Sequence, residues 1–202
     1  NFDIKNALFS GGSIDGMGWI NIEDTQTGMI ELHGRNTDTG RLVRKFLPNQ
    51  HIAAISDFDV RIIGTPDSPL VLGDSSITGL SYQNKNIGDG RAGFLLDKET
   101  VLLNDVTVNT AGGMISSPGG YVDLQDKMLD FSLSARDFSV PSAWLPSGTP
   151  LTARGNAKAR IVGGFEDPII TGEVNNGGIT YNGKQINNLS GDFVYWSNTF
   201  SL

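Results

Sequence analysis

Cysteine is absent from the 202 residues, which removes disulfides, thiolate metal ligands and thiol nucleophiles together. Histidine is scarce: the two present, His33 and His51, have no motif partners for a catalytic triad or a zinc site, so neither catalysis nor a bound metal is expected. No run of about 18 apolar residues occurs, and residues 1–10 lack the charged and apolar zones of a signal peptide, so neither a spanning helix nor a leader is expected. The first residue is not Met, which reads as a piece of something longer. Cations are outnumbered, with 15 Lys and Arg against 22 Asp and Glu for a net charge of −7. Only Arg41, Arg44 and Lys45 cluster, which argues against nucleic acid, whose binding needs massed cations to release counterions.

What is abundant is glycine, at 26 residues, within a chain of ordinary hydrophobic content at 38%. A folded, turn-rich chain follows. Most of it alternates with period two: Leu129, Phe131, Leu133 and Ala135 are separated by Asp130, Ser132 and Ser134, so one face of that strand is apolar and the other polar. The same pattern holds at Phe58, Val60 and Ile62, at Val106 and Val108, at Val122 and Leu124, and at Ala157, Ala159 and Ile161. These read as antiparallel strands with one wet face. Turn clusters lie between them: Gly11-Gly12, Thr65-Pro66-Asp67, Pro118-Gly119-Gly120, Asn175-Asn176-Gly177-Gly178 and Asn182-Gly183, the last being the best hairpin signal. Two short helical pieces are expected, over 41–47 and 142–145, each closed by a proline. Gly88, Gly90 and Gly93 match a dinucleotide-binding spacing literally, but the strand-like Phe94-Leu95-Leu96 follows where a helix is needed, so the segment reads as a turn. The acids, among them Asp57, Asp59, Asp67, Asp74, Asp123, Asp126 and Asp130, are spread through turns and outward positions as a solvated face would be.

Sliding the sequence by 99 residues aligns 59–103 with 158–202 without a gap, and 12 of those 45 positions are identical, where shared composition gives about three. The pairs include Arg61/Arg160, Gly64/Gly163, Pro69/Pro168, Gly73/Gly172, Tyr82/Tyr181 and Phe94/Phe193. The chain therefore reads as 1–202, one continuous β-structure of two units near 1–103 and 104–202. Units of that length differ from the rungs of a β-helix and the blades of a propeller. The expected fold is all-β: one long, curved, antiparallel-rich sheet forming a groove with an apolar interior, with at most short helical turns.

The block from Ile62 through Gly64, Pro69 and Gly73, recurring from Ile161 through Gly163, Pro168 and Gly172 and followed each time by a Tyr hairpin at Tyr82 and Tyr181, resembles the TamB and AsmA-like envelope proteins over most of the chain. That resemblance implies a taco-like sheet and a periplasmic setting in a diderm bacterium. It also implies an inner-membrane anchor in a segment outside this sequence, engagement of an outer-membrane Omp85-family protein, and a part in moving phospholipid or assembling outer-membrane proteins. No enzyme activity and no cofactor are implied. Physically the reading is coherent, because each acyl CH₂ costs about 0.8 kcal/mol to expose to water and a lipid in transit needs a continuous apolar surface. The candidate lining residues are Val60, Ile62, Val106, Val108, Val122, Leu124, Leu129, Phe131, Leu133, Ile161, Phe193 and Tyr195, with Trp196 placed to close one end. Inward alternation is equally the pattern of a sandwich or barrel core, and a β-scaffold acting by strand addition or a glycan-binding β-domain are rival readings.

Overall fold

The computed structural model describes residues 1–21, 27–46, 51–142, 148, 150–197 and 199–201. Thirteen strands form one sheet in strict sequence order, every neighbour antiparallel. They are β1 (Phe2–Phe9), β2 (Gly12–Ile20), β3 (Gly28–Asp38), β4 (Ile52–Thr65), β5 (Ser68–Tyr82), β6 (Lys85–Asp97), β7 (Thr100–Thr110), β8 (Gly113–Asp123), β9 (Met128–Ser139), β10 (Leu151–Gly164), β11 (Pro168–Tyr181), β12 (Lys184–Trp196) and β13 (Thr199–Ser201). One helix, α1 (Thr39–Phe46), joins β3 to β4. The sheet is open and curved and does not close into a barrel: β1 and β13 each have a single neighbour.

The 99-residue offset carries β4, β5 and β6 onto β10, β11 and β12, with Ile52 falling on Leu151, Tyr82 on Tyr181 and Lys85 on Lys184. Glu31 and Arg61, paired across β3 and β4, fall on Asp130 and Arg160, paired across β9 and β10. At the β4–β5 and β10–β11 corners Gly64 and Gly163 take φ of 116° and 111°, a conformation that explains why glycine recurs there. Asn182-Gly183 turns β11 into β12 with both φ positive, at 48° and 75°, as a two-residue hairpin of mirror-image type requires.

Two of the expected turns are not turns. Pro118-Gly119-Gly120 lies inside β8 and Asn175-Asn176-Gly177-Gly178 inside β11, each where the register shifts. Gly88 to Gly93 likewise lies inside β6, with Gly88 facing Leu80 on β5. A Cβ on Gly88 would run into the carbonyl of Asn109 on β7, so the glycine permits close approach of a strand instead of a turn. Bulges of this kind bend a strand and raise its twist. They recur in most of the ladders, at Asn36, Gly79, Asp105, Asp137, Asn176 and Asn188 among the residues of positive φ, and they let strands of 11 to 15 residues, β3 to β12, curl together.

α1 covers the expected 41–46, begins two residues earlier, and is capped by Asp38, whose Oδ1 accepts the N–H of Arg41 at 2.8 Å. It packs on β4: Thr39 Oγ1 lies 2.7 Å from Ser56 Oγ, and Arg44 Nη1 donates to the carbonyl of Ile52 at 2.6 Å. Ala54, Ser56 and Thr37 are buried here. Leu47 and the expected helical turn over 142–145, with Trp144, lie outside the described residues, apart from Ser142.

Candidate functional site: an uncovered apolar groove

Register assigns every strand residue to one of two faces, because directly paired residues share a face and neighbours along a strand alternate. One row runs Ile4, Gly16, Leu32, Val60, Gly73, Phe94, Leu103, Gly120, Phe131, Ile161, Ile170, Tyr195 from β1 to β12. The next runs Phe2, Gly18, Ile30, Ile62, Val71, Leu96, Val101, Val122, Leu129. Two further stretches continue the same face: Leu133, Ala159, Gly172, Phe193, and Val108, Ile115, Ala135, Ala157, Val174. Along β4 the residues of this face are buried or half-buried while Ala53, Ile55, Asp57, Asp59, Arg61 and Ile63 of the other are exposed. This is the inner face of the groove.

Eleven of the twelve residues expected to line the groove lie on that face, in six different strands, β4, β7, β8, β9, β10 and β12. Leu124 is the exception. β8 ends at Asp123, whose Oδ1 accepts the N–H of Gln125 at 2.9 Å and of Asp126 at 2.8 Å. That local capping turns the chain, so Leu124 stands in the hairpin connection, its N–H bonded to the carbonyl of Glu99. Trp196, expected to close the groove, alternates with Tyr195 onto the outer face and is 55% exposed.

Nothing in the described chain forms a second layer over the inner face apart from α1 against β4. Ile14 and Ala54 are the buried apolar residues among the described residues. The accessible surface is 12967 Å², whereas a compact protein of this mass exposes about 9,200 Å². A sandwich core would have removed the difference. Between β9, β10, β11 and β12 the inner face forms an open hollow of about 270 Å³ lined by Phe138, Val140, Ala153, Ala157, Val174, Ile179, Leu189 and Phe193. The small side chains Ala153 and Ala157, with Gly155 and Gly177, leave this room.

Phenylalanine is placed in a pattern that alternation alone did not disclose. Seven of the ten sit directly opposite a glycine: Phe2 on Gly18, Phe9 on Gly12, Phe58 on Gly34, Phe94 on Gly73, Phe131 on Gly120, Phe138 on Gly155 and Phe193 on Gly172. The signal was present in the 99-residue repeat, which retains both Gly73/Gly172 and Phe94/Phe193. Pairing had to be known before the two positions could be joined.

The outer face is mixed. Toward the β4–β5 end it carries Met17, Trp19, Ile63, Leu102, Tyr121, Met128 and Ile169, each exposed. Elsewhere it is charged. A hollow there of about 720 Å³, larger than the inner one, is lined mainly by polar and charged side chains, among them Arg35, Asp57, Asp59, Asp74, Arg91 and Asp105. His33 Nδ1 lies 2.6 Å from Asp59 Oδ1, and that contact, helped by Arg35 at 3.5 Å, holds the Asp59 carboxyl below its ordinary value. His51 stands apart at the start of β4, its carbonyl accepting from Gln83. Among the described residues no three His, Asp or Glu converge as metal ligands, and no helix is long and apolar enough to cross a membrane. Compared with family models, curated proteins and solved structures, the chain matches none.

Proposed function

We propose that the inner face carries the acyl chains of phospholipid along the groove, strand to strand, with the head groups left in water. In this reading the chain is a section of an envelope-spanning conduit between the inner and outer membranes, serving outer-membrane biogenesis in the periplasm, and none of its residues performs chemistry. One observation supports it above the others: among the described residues, an apolar face continuous over twelve strands is left without a covering layer apart from α1 against β4. Uncovered apolar surface of this extent is costly in water, at roughly 25 cal/mol per Å², and monomeric proteins seldom keep it without a partner or ligand to occupy it. Acyl chains fit such a face because they need contact but no fixed polar partners.

The test is photo-crosslinking in cells with the probe at Phe131 on the inner face and at Ser132 on the outer. Phospholipid attached at Phe131 and not at Ser132 is the expected result. No lipid at either position, in a protein that still functions, overturns the reading. A second reading rests on the single-neighbour strands β1 and β13, whose free backbone groups could pair with an outer-membrane barrel of the Omp85 family by strand addition. Proline at Asp3 or Lys5 in β1 would then abolish function while inner-face substitutions leave it intact.

A further inference from the structure

The phenylalanine–glycine pairs deepen the conduit reading, and the inference from them rests on it. Glycine is 26 of 202 residues, so unselected neighbours would place about one of these seven rings opposite glycine. The reason for the pairing is visible in the geometry. A Cβ on Gly172 would lie 2.7 Å from Cζ and 2.8 Å from Cε1 of Phe193, and a Cβ on Gly18 would lie 2.7 Å from Cζ of Phe2. Cβ atoms on Gly34 and Gly120 would run into the rings of Phe58 and Phe131. Each of these rings leans across its glycine, and side chains otherwise stand roughly perpendicular to a sheet. In a closed core the space above a lowered ring would be filled by an opposing layer, since interiors pack without voids. Among the described residues no such layer exists apart from α1 against β4.

We infer that these glycines are positioning residues that set the clear depth of the groove: by giving each ring a place to lie, they keep the floor low and smooth enough for unbranched acyl chains to pass over it. A methyl at such a glycine lifts the ring into the path without changing charge or polarity. At Gly18, Gly120 and Gly172 the methyl would also meet a backbone carbonyl, of Met29, Asp130 and Lys158, but at Gly34 its three nearest atoms all belong to the Phe58 ring, so there the effect on the occupant comes through the ring and shrinking the ring reverses it.

The purified chain, as wild type, Gly34→Ala and Gly34→Ala/Phe58→Leu, is incubated with vesicles of phosphatidylethanolamine and phosphatidylglycerol, and bound phospholipid per chain is counted by native mass spectrometry. Circular dichroism and urea midpoints accompany each count. The single variant is expected to lose lipid by about fourfold, the equivalent of one methylene withdrawn from contact, and the double variant to regain the wild-type count. A merely structural glycine would instead lower the midpoint with the lipid count unchanged, and that result overturns the inference while leaving the conduit reading standing. A wild type that takes up no lipid overturns both. Where a glycine variant does not fold, Phe131→Trp enlarges the ring over an intact glycine: loss of lipid supports the inference and an unchanged count overturns it.

Discussion

Arg160 grips Asp130 across β9 and β10 with Nη2 at 2.6 Å and Nε at 2.9 Å, and 99 residues earlier Arg61 holds Glu31 across β3 and β4 at 2.7 and 2.9 Å. Both pairs lie on the outer face, pinning neighbouring strands at equivalent places in the two halves of the sheet. The hydrogen bonds from Arg160 hold the Asp130 carboxyl below its usual range, against the opposing effect of desolvation. A carboxyl depressed in the folded state stabilises the fold at pH above its unfolded value of about 3.9, and that contribution is lost as pH falls through the folded value. Carboxyl NMR titration is expected to place Asp130 and Asp59 below ordinary aspartates, with Arg160→Gln returning Asp130 upward. Stability between pH 5 and 8 is expected to be flat with respect to both groups. Asp130 titrating normally in the wild type would contradict the pairing.

Gly64 and Gly163 have the same backbone conformation but different surroundings. A Cβ on Gly64 would sit 2.7 Å from the carbonyl oxygen of Ser68, whereas on Gly163 nothing is closer than 3.8 Å. Alanine at Gly163 therefore pays backbone strain alone, about 1–2 kcal/mol. Alanine at Gly64 adds a steric clash with backbone and is expected to cost at least about 1 kcal/mol more. Urea unfolding of the two variants measures the gap, and equal costs would show that the corner relaxes freely.

Leu133 distinguishes an uncovered groove from a filled core. In a closed interior, Leu→Ala costs about 2–5 kcal/mol because transfer and cavity terms add. Leu133 is only half-buried, so its truncation is expected to cost about 1–2 kcal/mol. Ser132→Ala, on the outer face, is expected to fall within about 0.5 kcal/mol of wild type. A loss of about 4 kcal/mol at Leu133 would mean that something packs over the inner face in solution.

Period-two alternation was enough to read the all-β class and to assign eleven lining residues to one face, because the pattern of Phe58, Val60 and Ile62 or of Leu129, Phe131 and Leu133 has no helical reading. The 99-residue recurrence exposed the tandem build. Strand length was not legible, since Pro118-Gly119-Gly120 and Asn175 to Gly178 have the composition of turns and serve as bulges inside long strands. Local chemistry is the same in both cases: a positive φ or a missing Cβ. Only the partner strand decides whether the chain reverses or merely bends. Leu124 failed for the converse reason, because an Asp123 cap ended a strand whose alternation continued. The phenylalanine–glycine pairs were hidden because they join residues up to 24 apart through register.

Thr37 supplies a final test, of the contact between α1 and the sheet. The left-handed Asn36 at φ 55° shifts the register of β3 so that Thr37 pairs with Ser56 beneath the start of α1. Ser56 has a partner in Thr39 Oγ1. Thr37 is 0% exposed, and its Oγ1 is, among the described residues, the buried side-chain polar atom without a hydrogen-bond partner. An unsatisfied buried hydroxyl costs about 1–3 kcal/mol relative to an apolar group of the same shape. Thr37→Val keeps the shape and the β-branching and removes the hydroxyl, so a gain of about 1 kcal/mol is expected. Thr37→Ser retains the hydroxyl and deletes a methyl, and is expected to lose about 1 kcal/mol. Thermal and urea unfolding of the pair settle the sign: a destabilised valine variant would mean that Oγ1 finds a partner in solution, such as a buried water between α1 and β4.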